Sequence, residues 1–130
     1  MLFRSVLNNF ERMWGGEVFV PKIPSVRIID LAEAMAPGIP ARVIGIRPGE
    51  KLHEVMCPLD DSHLTLEFDD HFVIQPTIVF WDGAGHDYFT DAHGKKGRLV
   101  AQGFEYSSGN NPHFLSVDEI RTFNRIAEAE

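Results

Sequence analysis

Cysteine is almost missing from this chain. Cys57 is the single one, so no intrachain disulfide can form and a reducing, cytoplasmic setting is expected. Long apolar runs are missing too: none approaches the roughly 20 residues needed to span a bilayer. The opening Met1-Leu2-Phe3-Arg4-Ser5-Val6 has no basic stretch followed by an apolar core, so a secretory signal is not expected. Positive charge is scarce, with 12 Lys and Arg against 19 Asp and Glu and a net charge of −7. That balance argues against a general nucleic-acid surface or an anionic-membrane surface. There is no C-x-x-C and no pair of histidines four residues apart, which removes the commonest metal-ligand spacings. Gly83-Ala84-Gly85 lacks the G-x-G-x-x-G spacing of a dinucleotide loop, and no helical pattern follows it. No internal repeat or low-complexity tract is visible.

What is present fits one domain with a modest core: 130 residues, 44% apolar and 24% charged. Phe3, Val6, Leu7, Phe10 and Met13 or Trp14 recur at helical spacing until Gly15-Gly16 stops them. Glu17–Val20 reads as a short strand closed by Pro21 and Pro24, and Val26 and Ile28 as a brief extended piece. Asp30 with Glu33 suggests a capping box opening a short helix that ends at Pro37-Gly38. Arg42–Ile46 reads as a strand, Pro48-Gly49 as a turn, and Leu52, Val55 and Met56 as one face of a helical turn. Leu64, Leu66 and Phe68, then Phe72 and Ile74, alternate as two strands joined at Asp69-Asp70, with Thr77–Trp81 as a third. Residues 82–113 read as loop, and Ser116 with Glu119 caps a terminal helix over 117–128.

The chemistry-bearing residues admit two readings each. Arg47 stands at the end of the expected strand 42–46, where open α/β sheets bind ligands, and its guanidinium suits a phosphate. Arg42 and Lys51 would reinforce it, and Glu50 could accept hydrogen bonds from sugar hydroxyls. On spacing alone, the simpler reading is that Arg47 and Glu50 form a surface ion pair beside an ordinary Pro-Gly turn. His86, Asp87, Asp91 and His93 form either a metal cluster or, the simpler reading, a solvated polar loop. Cys57 reads as a small buried residue rather than a nucleophile. Asp60-Asp61 and Asp69-Asp70 read as turn formers rather than paired catalytic carboxylates.

Three ordered segments carry a resemblance: Gly15–Ser25 (GGEVFVPKIPS), Asp30-Leu31-Ala32, and Ile44–Glu54 (IGIRPGEKLHE). Leu66-Glu67-Phe68, Ile74-Gln75-Pro76 and Phe104–Ser108 extend it across roughly residues 5–115. In order and spacing these segments resemble the C-terminal third of inverting UDP-N-acetylglucosamine 4,6-dehydratases, extended short-chain dehydrogenases/reductases of the polysaccharide-biosynthesis branch. The resemblance implies a bacterial NADP-dependent lyase acting on a UDP-amino sugar. It would oxidise carbon 4, eliminate water across carbons 5 and 6, return the hydride to carbon 6 and invert carbon 5. The product would serve flagellin glycans or surface polysaccharide. The family's substrate-contacting arginine and glutamate fall on Arg47 and Glu50, and Lys22 lies in a segment that frames the pocket.

The family's glycine-rich loop and Tyr-x-x-x-Lys pair have no counterpart here. The tyrosines are Tyr88 and Tyr106, and neither has lysine four residues later. The expected fold is therefore α/β, or α+β if taken alone: the C-terminal substrate-binding part of an extended short-chain dehydrogenase, with short strands and helices, lacking the Rossmann half. The expected organisation is a substrate-binding subdomain over 1–81, a loop-rich segment over 82–115 and a terminal helix over 116–130. NADP belongs to the full-length family; this chain by itself is expected to bind no cofactor and no metal, and no catalytic residue is assigned. Expected partners are a UDP-amino sugar and either the missing Rossmann half or further copies of the chain, with no nucleic acid and no membrane. Whether the chain catalyses anything by itself is left open. The competing reading is a non-catalytic interaction or oligomerisation module derived from the same family.

Overall fold

The computed structural model describes residues 2–78 and 86–128. Its elements run α1 (Leu2–Arg12), β1 (Val18–Pro21), α2 (Ile28–Met35), β2 (Val55–Cys57), β3 (Thr65–Glu67), β4 (His71–Ile74), β5 (Arg98–Leu99), β6 (Tyr106–Ser107) and α3 (Val117–Glu128). Helices thus combine with antiparallel sheet, the mixed α/β class expected. Four strands form one sheet in the order β1-β4-β3-β5, and β2 pairs with β6. The chain divides into two compact units, Met1–Lys22 with Val55–Tyr106, and Ile23–Glu54 with Ser107–Glu130.

In the first unit, alternation along the strands builds the core. Val20 lies opposite Phe72, and Leu66 opposite Val73, in antiparallel register. Successive side chains of a strand point to opposite faces, so Val20 and Phe72 pack with Cys57, Val100 and Tyr106. Val73 and Leu66 pack with Phe68, Phe19 and Tyr88 on the other side. With both faces covered, β4 is buried at His71, Phe72 and Val73. Complete burial of Leu66 (0% exposed) contributes about 1.5–3 kcal/mol relative to leaving it in water. The hairpin expected at Asp69-Asp70 forms and is closed by Phe68 N donating to His71 O at 2.9 Å. Helix α1 ends at Arg12, ahead of Gly15 and Gly16, which both take positive φ. The Arg12 guanidinium reaches the Asp70 carboxylate at 3.1 and 3.2 Å. Asp70 Oδ1 also lies 2.8 Å from His71 Nδ1, whose ring stacks on Phe68 at 4.8 Å between centroids.

In the second unit, α2 packs on α3, which buries Ile120. The expected capping box is present: Ser116 N and Oγ donate to Glu119 Oε2 at 2.8 and 2.7 Å, and Glu119 N donates back to Ser116 Oγ at 3.4 Å. Arg121 donates to the Glu33 carbonyl at 3.4 Å.

Several local expectations are corrected. Helix α2 starts at Ile28, so Ile28 is not extended, and its cap residue Arg27 makes no side-chain cap bond. Asp30 instead lies in the first turn, where its negative charge meets the helix dipole, 3.9 Å from Arg27. No strand forms over 42–46. Gly45 takes φ +84°, outside the β region, and no neighbouring strand among the described residues supplies a ladder for this segment. Residues 55–57 form β2 rather than a helical turn, because Pro58 disfavours a helical Cys57 and β6 offers hydrogen bonds. The stretch 82–113 is not loop throughout, since it holds β5 and β6. The third strand expected over Thr77–Trp81 runs into 79–85, outside the described residues.

Candidate functional site

The Arg47–Glu50 turn is built as its residues dictate. Proline presets the first central position, and glycine takes the positive φ that the second requires; Gly49 has φ +86°. Glu50 N donates to Arg47 O at 3.1 Å, closing the turn. The Glu50 carboxylate folds back over it. Arg47 N donates to Oε2 at 2.8 Å, and Arg47 Nε donates to Oε1 at 2.6 Å. The Arg47 backbone and then side-chain hydrogen bonds hold the Glu50 carboxyl below its usual range, with slight burial opposing them. The ion pair foreseen as the simpler reading is therefore real, yet 77% of the Arg47 side chain remains exposed. A charge-assisted fork held in one orientation, with most of the guanidinium still in water, is chemically suited to receive an oxyanion.

Beside this turn lies a groove of about 880 Å³ lined by Ile28, Val43, Ile46, Leu52, Glu50 and Lys51, among others. Its walls are mainly apolar side chains, with Glu50, Lys51 and Glu54 supplying charge. Arg42, Arg47 and Lys51 are all exposed on the segment, so the three cations share an open stretch of chain rather than a closed pocket.

Lys22 belongs to the first unit. Its Nζ donates to Glu67 Oε1 at 2.9 Å and to Phe68 O at 2.7 Å, and lies 4.9 Å from the centre of the Phe72 ring. Arg98 grips the other oxygen of Glu67 through Nε at 3.0 Å and Nη2 at 2.9 Å. The Lys22 hydrogen bond is the main influence lowering the Glu67 carboxyl; burial opposes it and Arg98 assists. Within its own unit Lys22 is thus a fastening for the four-stranded sheet. A hollow of about 550 Å³ beside it is lined by Lys22, Glu67, Asp69, Lys96 and Arg98, among others.

Of the loop residues considered for metal, Asp91 and His86 have contacts of their own. Asp91 Oδ1 accepts from His93 N at 3.0 Å and Lys95 N at 2.8 Å, and His86 stacks on Trp14 at 4.4 Å. Among the described residues, no three His, Cys, Asp or Glu side chains gather as metal ligands. Gly83-Ala84-Gly85 lies outside the described residues. Cys57 is wholly buried, as its surroundings in sequence suggested.

Sequence reasoning passed over the turn at Ser107–His113. Ser108 exchanges hydrogen bonds with Glu54, and Asn111 reaches Ile23 and Ser25. The one signal available was composition: Ser-Ser-Gly-Asn-Asn is typical of turns, but nothing in it tells which segments the turn will touch.

A family model described as "Polysaccharide biosynthesis protein" matches residues 3–76. The chain belongs to that family. Over 115 residues it is 55% identical to a UDP-N-acetylglucosamine 4,6-dehydratase (inverting) of Campylobacter jejuni subsp. jejuni serotype O:2, a match covering 88% of this chain and 34% of that protein. A protein of the same description from serotype O:23/36 is 53% identical over the same coverage. The chain therefore spans about a third of the length of these curated relatives. Among solved structures, the X-ray structure of Pen from Bacillus thuringiensis superposes with a TM-score of 0.66 at 24% identity, over 95% of this chain and 35% of that one. The family resemblance drawn from the sequence is borne out, and the matched segment includes Lys22, Arg47 and Glu50. Among the described residues no helix is long and apolar enough to cross a membrane.

Proposed function

We propose that this chain is the C-terminal, UDP-sugar-binding portion of an inverting UDP-N-acetylglucosamine 4,6-dehydratase, a cytoplasmic NADP-dependent lyase of surface-polysaccharide or flagellin-glycan synthesis, and is not catalytic alone. The observation that carries the reading is the Arg47–Glu50 turn. A buttressed, largely exposed guanidinium stands in a segment that borders an apolar groove, inside a stretch similar to the dehydratases. Arg47 would take the diphosphate oxygens, since a guanidinium presents paired N–H donors to phosphate. Glu50 would accept from the ribose hydroxyls or the uracil edge. Lys22 would frame the sugar-nucleotide pocket.

NADP does not fit the residues described. Tyr88 donates its hydroxyl to Gly15 O at 2.9 Å, and Tyr106 is buried against Phe72. Positions four residues after them hold Ala92 and Asn110, not lysine. No hydride step is assigned to this chain; its part is to bind and orient the nucleotide sugar.

Titration calorimetry with UDP tests the reading, using the chain alone and mixed with the N-terminal two-thirds of a dehydratase relative. Binding that Arg47→Ala weakens about tenfold or more supports it, as expected when a charged hydrogen bond is lost. No uptake of UDP in either setting rejects it.

A second reading rests on a different observation. Val43 and Ile44 are 81% and 78% exposed, and contiguous exposed apolar surface of this kind marks interaction sites. On that reading the chain is an oligomerisation or docking module. Size-exclusion chromatography separates the two: a clean monomer that pairs with no dehydratase N-terminal portion argues against the module.

A further inference from the structure

Three residues of the Ser107–His113 turn, Ser108, Gly109 and Asn111, touch both ends of the Ile23–Glu54 stretch, all within the second unit. Ser108 Oγ accepts from Glu54 N at 3.0 Å, and Ser108 N donates to Glu54 O at 2.8 Å. At the next residue, a Cβ on Gly109 would stand only 2.7 Å from the His53 ring. That is closer than real contacts allow, so the glycine lets the turn lie directly against His53. Asn111, 8% exposed, donates through Nδ2 to Ile23 O at 2.7 Å and to Ser25 Oγ at 3.0 Å. Its Oδ1 accepts from His113 N at 3.0 Å, and Ser25 N donates to His113 O at 2.8 Å.

The segment these contacts hold has little other support. From 37 to 54 every residue is exposed. Among the described residues, backbone hydrogen bonds between 39 and 53 stay local, from Ile39 to Ala36 and from Glu50 to Arg47. Tethering therefore enters at the far end, through Glu54. A loop fixed by local bonds alone samples many orientations, and each fixed residue has its own entropy cost. Anchoring its end reduces the volume that Arg47 and Glu50 can sweep before a ligand arrives, which is preorganisation.

We infer that Ser108, Gly109 and Asn111 form a positioning clip that holds the Arg47–Glu54 segment and the Ile23–Ser25 segment in place for a nucleotide diphosphate. The ligand part of this inference rests on the reading proposed above; the mechanical part does not. Ser108 and Asn111 are positioning residues and touch no ligand. Both halves of the clip depend on specific donors and acceptors. Ser108→Ala removes the acceptor of Glu54 N, whereas Ser108→Thr keeps a hydroxyl. Asn111→Asp keeps the shape but loses both donors to Ile23 and Ser25.

The test combines amide hydrogen exchange with UDP calorimetry on the full chain, with a dehydratase N-terminal portion added to the calorimetry. In Ser108→Ala the amides of Glu54 and Glu50 should exchange roughly fivefold faster, the scale of one lost hydrogen bond, while Leu66 and Val73 of the sheet keep their protection. Ser108→Thr should restore the wild-type rates, and Asn111→Asp should expose the Ser25 and Leu115 amides. UDP affinity should fall severalfold in Ser108→Ala and Asn111→Asp and return in Ser108→Thr. Unchanged Glu54 exchange, or equal acceleration in the sheet, overturns the clip. If wild type binds UDP and Arg47→Ala weakens it while Ser108→Ala and Asn111→Asp bind normally, the clip's role is overturned and the nucleotide reading stands. If no form binds UDP, the nucleotide reading falls, and the exchange rates alone decide whether the clip holds the segment.

Discussion

Asp70 shows how one carboxylate couples two elements. It receives Arg12 from α1 and lies against His71 of β4. Partial burial pushes its carboxyl up, but hydrogen bonds and charge from His71 and Arg12 outweigh this and bring it down to about 2 from an ordinary 3.8. A depressed carboxyl contributes stability that is fully present above the unfolded value and lost as pH falls through the folded one. The contribution is thus complete above about pH 4 and gone below about pH 2, and it stays modest because 59% of the Asp70 side chain is exposed. Thermal melts should show a shallower fall in Tm between those pH values for Asp70→Asn than for wild type. Cys57 makes a second test at this scale. Burial, and secondarily the Asp61 charge, pushes its thiol up to about 11, so little thiolate exists near neutrality. A colorimetric thiol reagent at pH 8 should leave the native chain unmodified and react with one equivalent after unfolding.

Among the elements, α3 has the most explicit sequence signal and the most complete local hydrogen bonding. Both arms of its capping box are made, and Ile120 supplies the buried anchor. Ser116→Ala should cost about 1 kcal/mol, read as lower helicity at 222 nm on heating and an earlier melt. Helix α1 differs: Val6, Leu7 and Phe10 follow helical spacing yet are all exposed. Periodicity thus predicted an element without predicting what buries it. The strand expected over 42–46 fails for a related reason. An extended apolar run becomes a strand only when a neighbour supplies hydrogen bonds, and none does among the described residues.

For the whole molecule, the acidic balance and the exposed apolar segment pull in opposite directions. A net charge of −7 favours solubility, whereas exposed Val43, Ile44, Ile46 and Leu52 favour association. The chain spans about a third of the length of its curated relatives, and in the proposed function the groove beside Arg47 is one wall of a larger site. Ile44→Asp should therefore suppress self-association, or pairing with a dehydratase N-terminal portion, in light scattering. It should leave the melting temperature within about 2 °C, because surface changes usually cost under about 0.5 kcal/mol.

Local and near-neighbour patterns determined much of this protein from sequence alone. The glycine stop after α1, the β3–β4 hairpin, the Pro-Gly turn at Arg47 and the Ser116–Glu119 cap all depend on residues a few positions apart. Steric preference and short-range hydrogen bonding decide such features before the chain folds. Family membership was legible for another reason: ordered motifs across most of the chain preserve information that composition loses. Only the tertiary structure decided that Lys22 fastens Glu67, that 42–46 stays unpaired, that 55–57 is a strand, and that Ser108 and Asn111 grip segments 54 and 86 to 88 positions away. Those contacts join residues whose separation carries no periodic signal, and each forms only when packing elsewhere has brought the two backbones together.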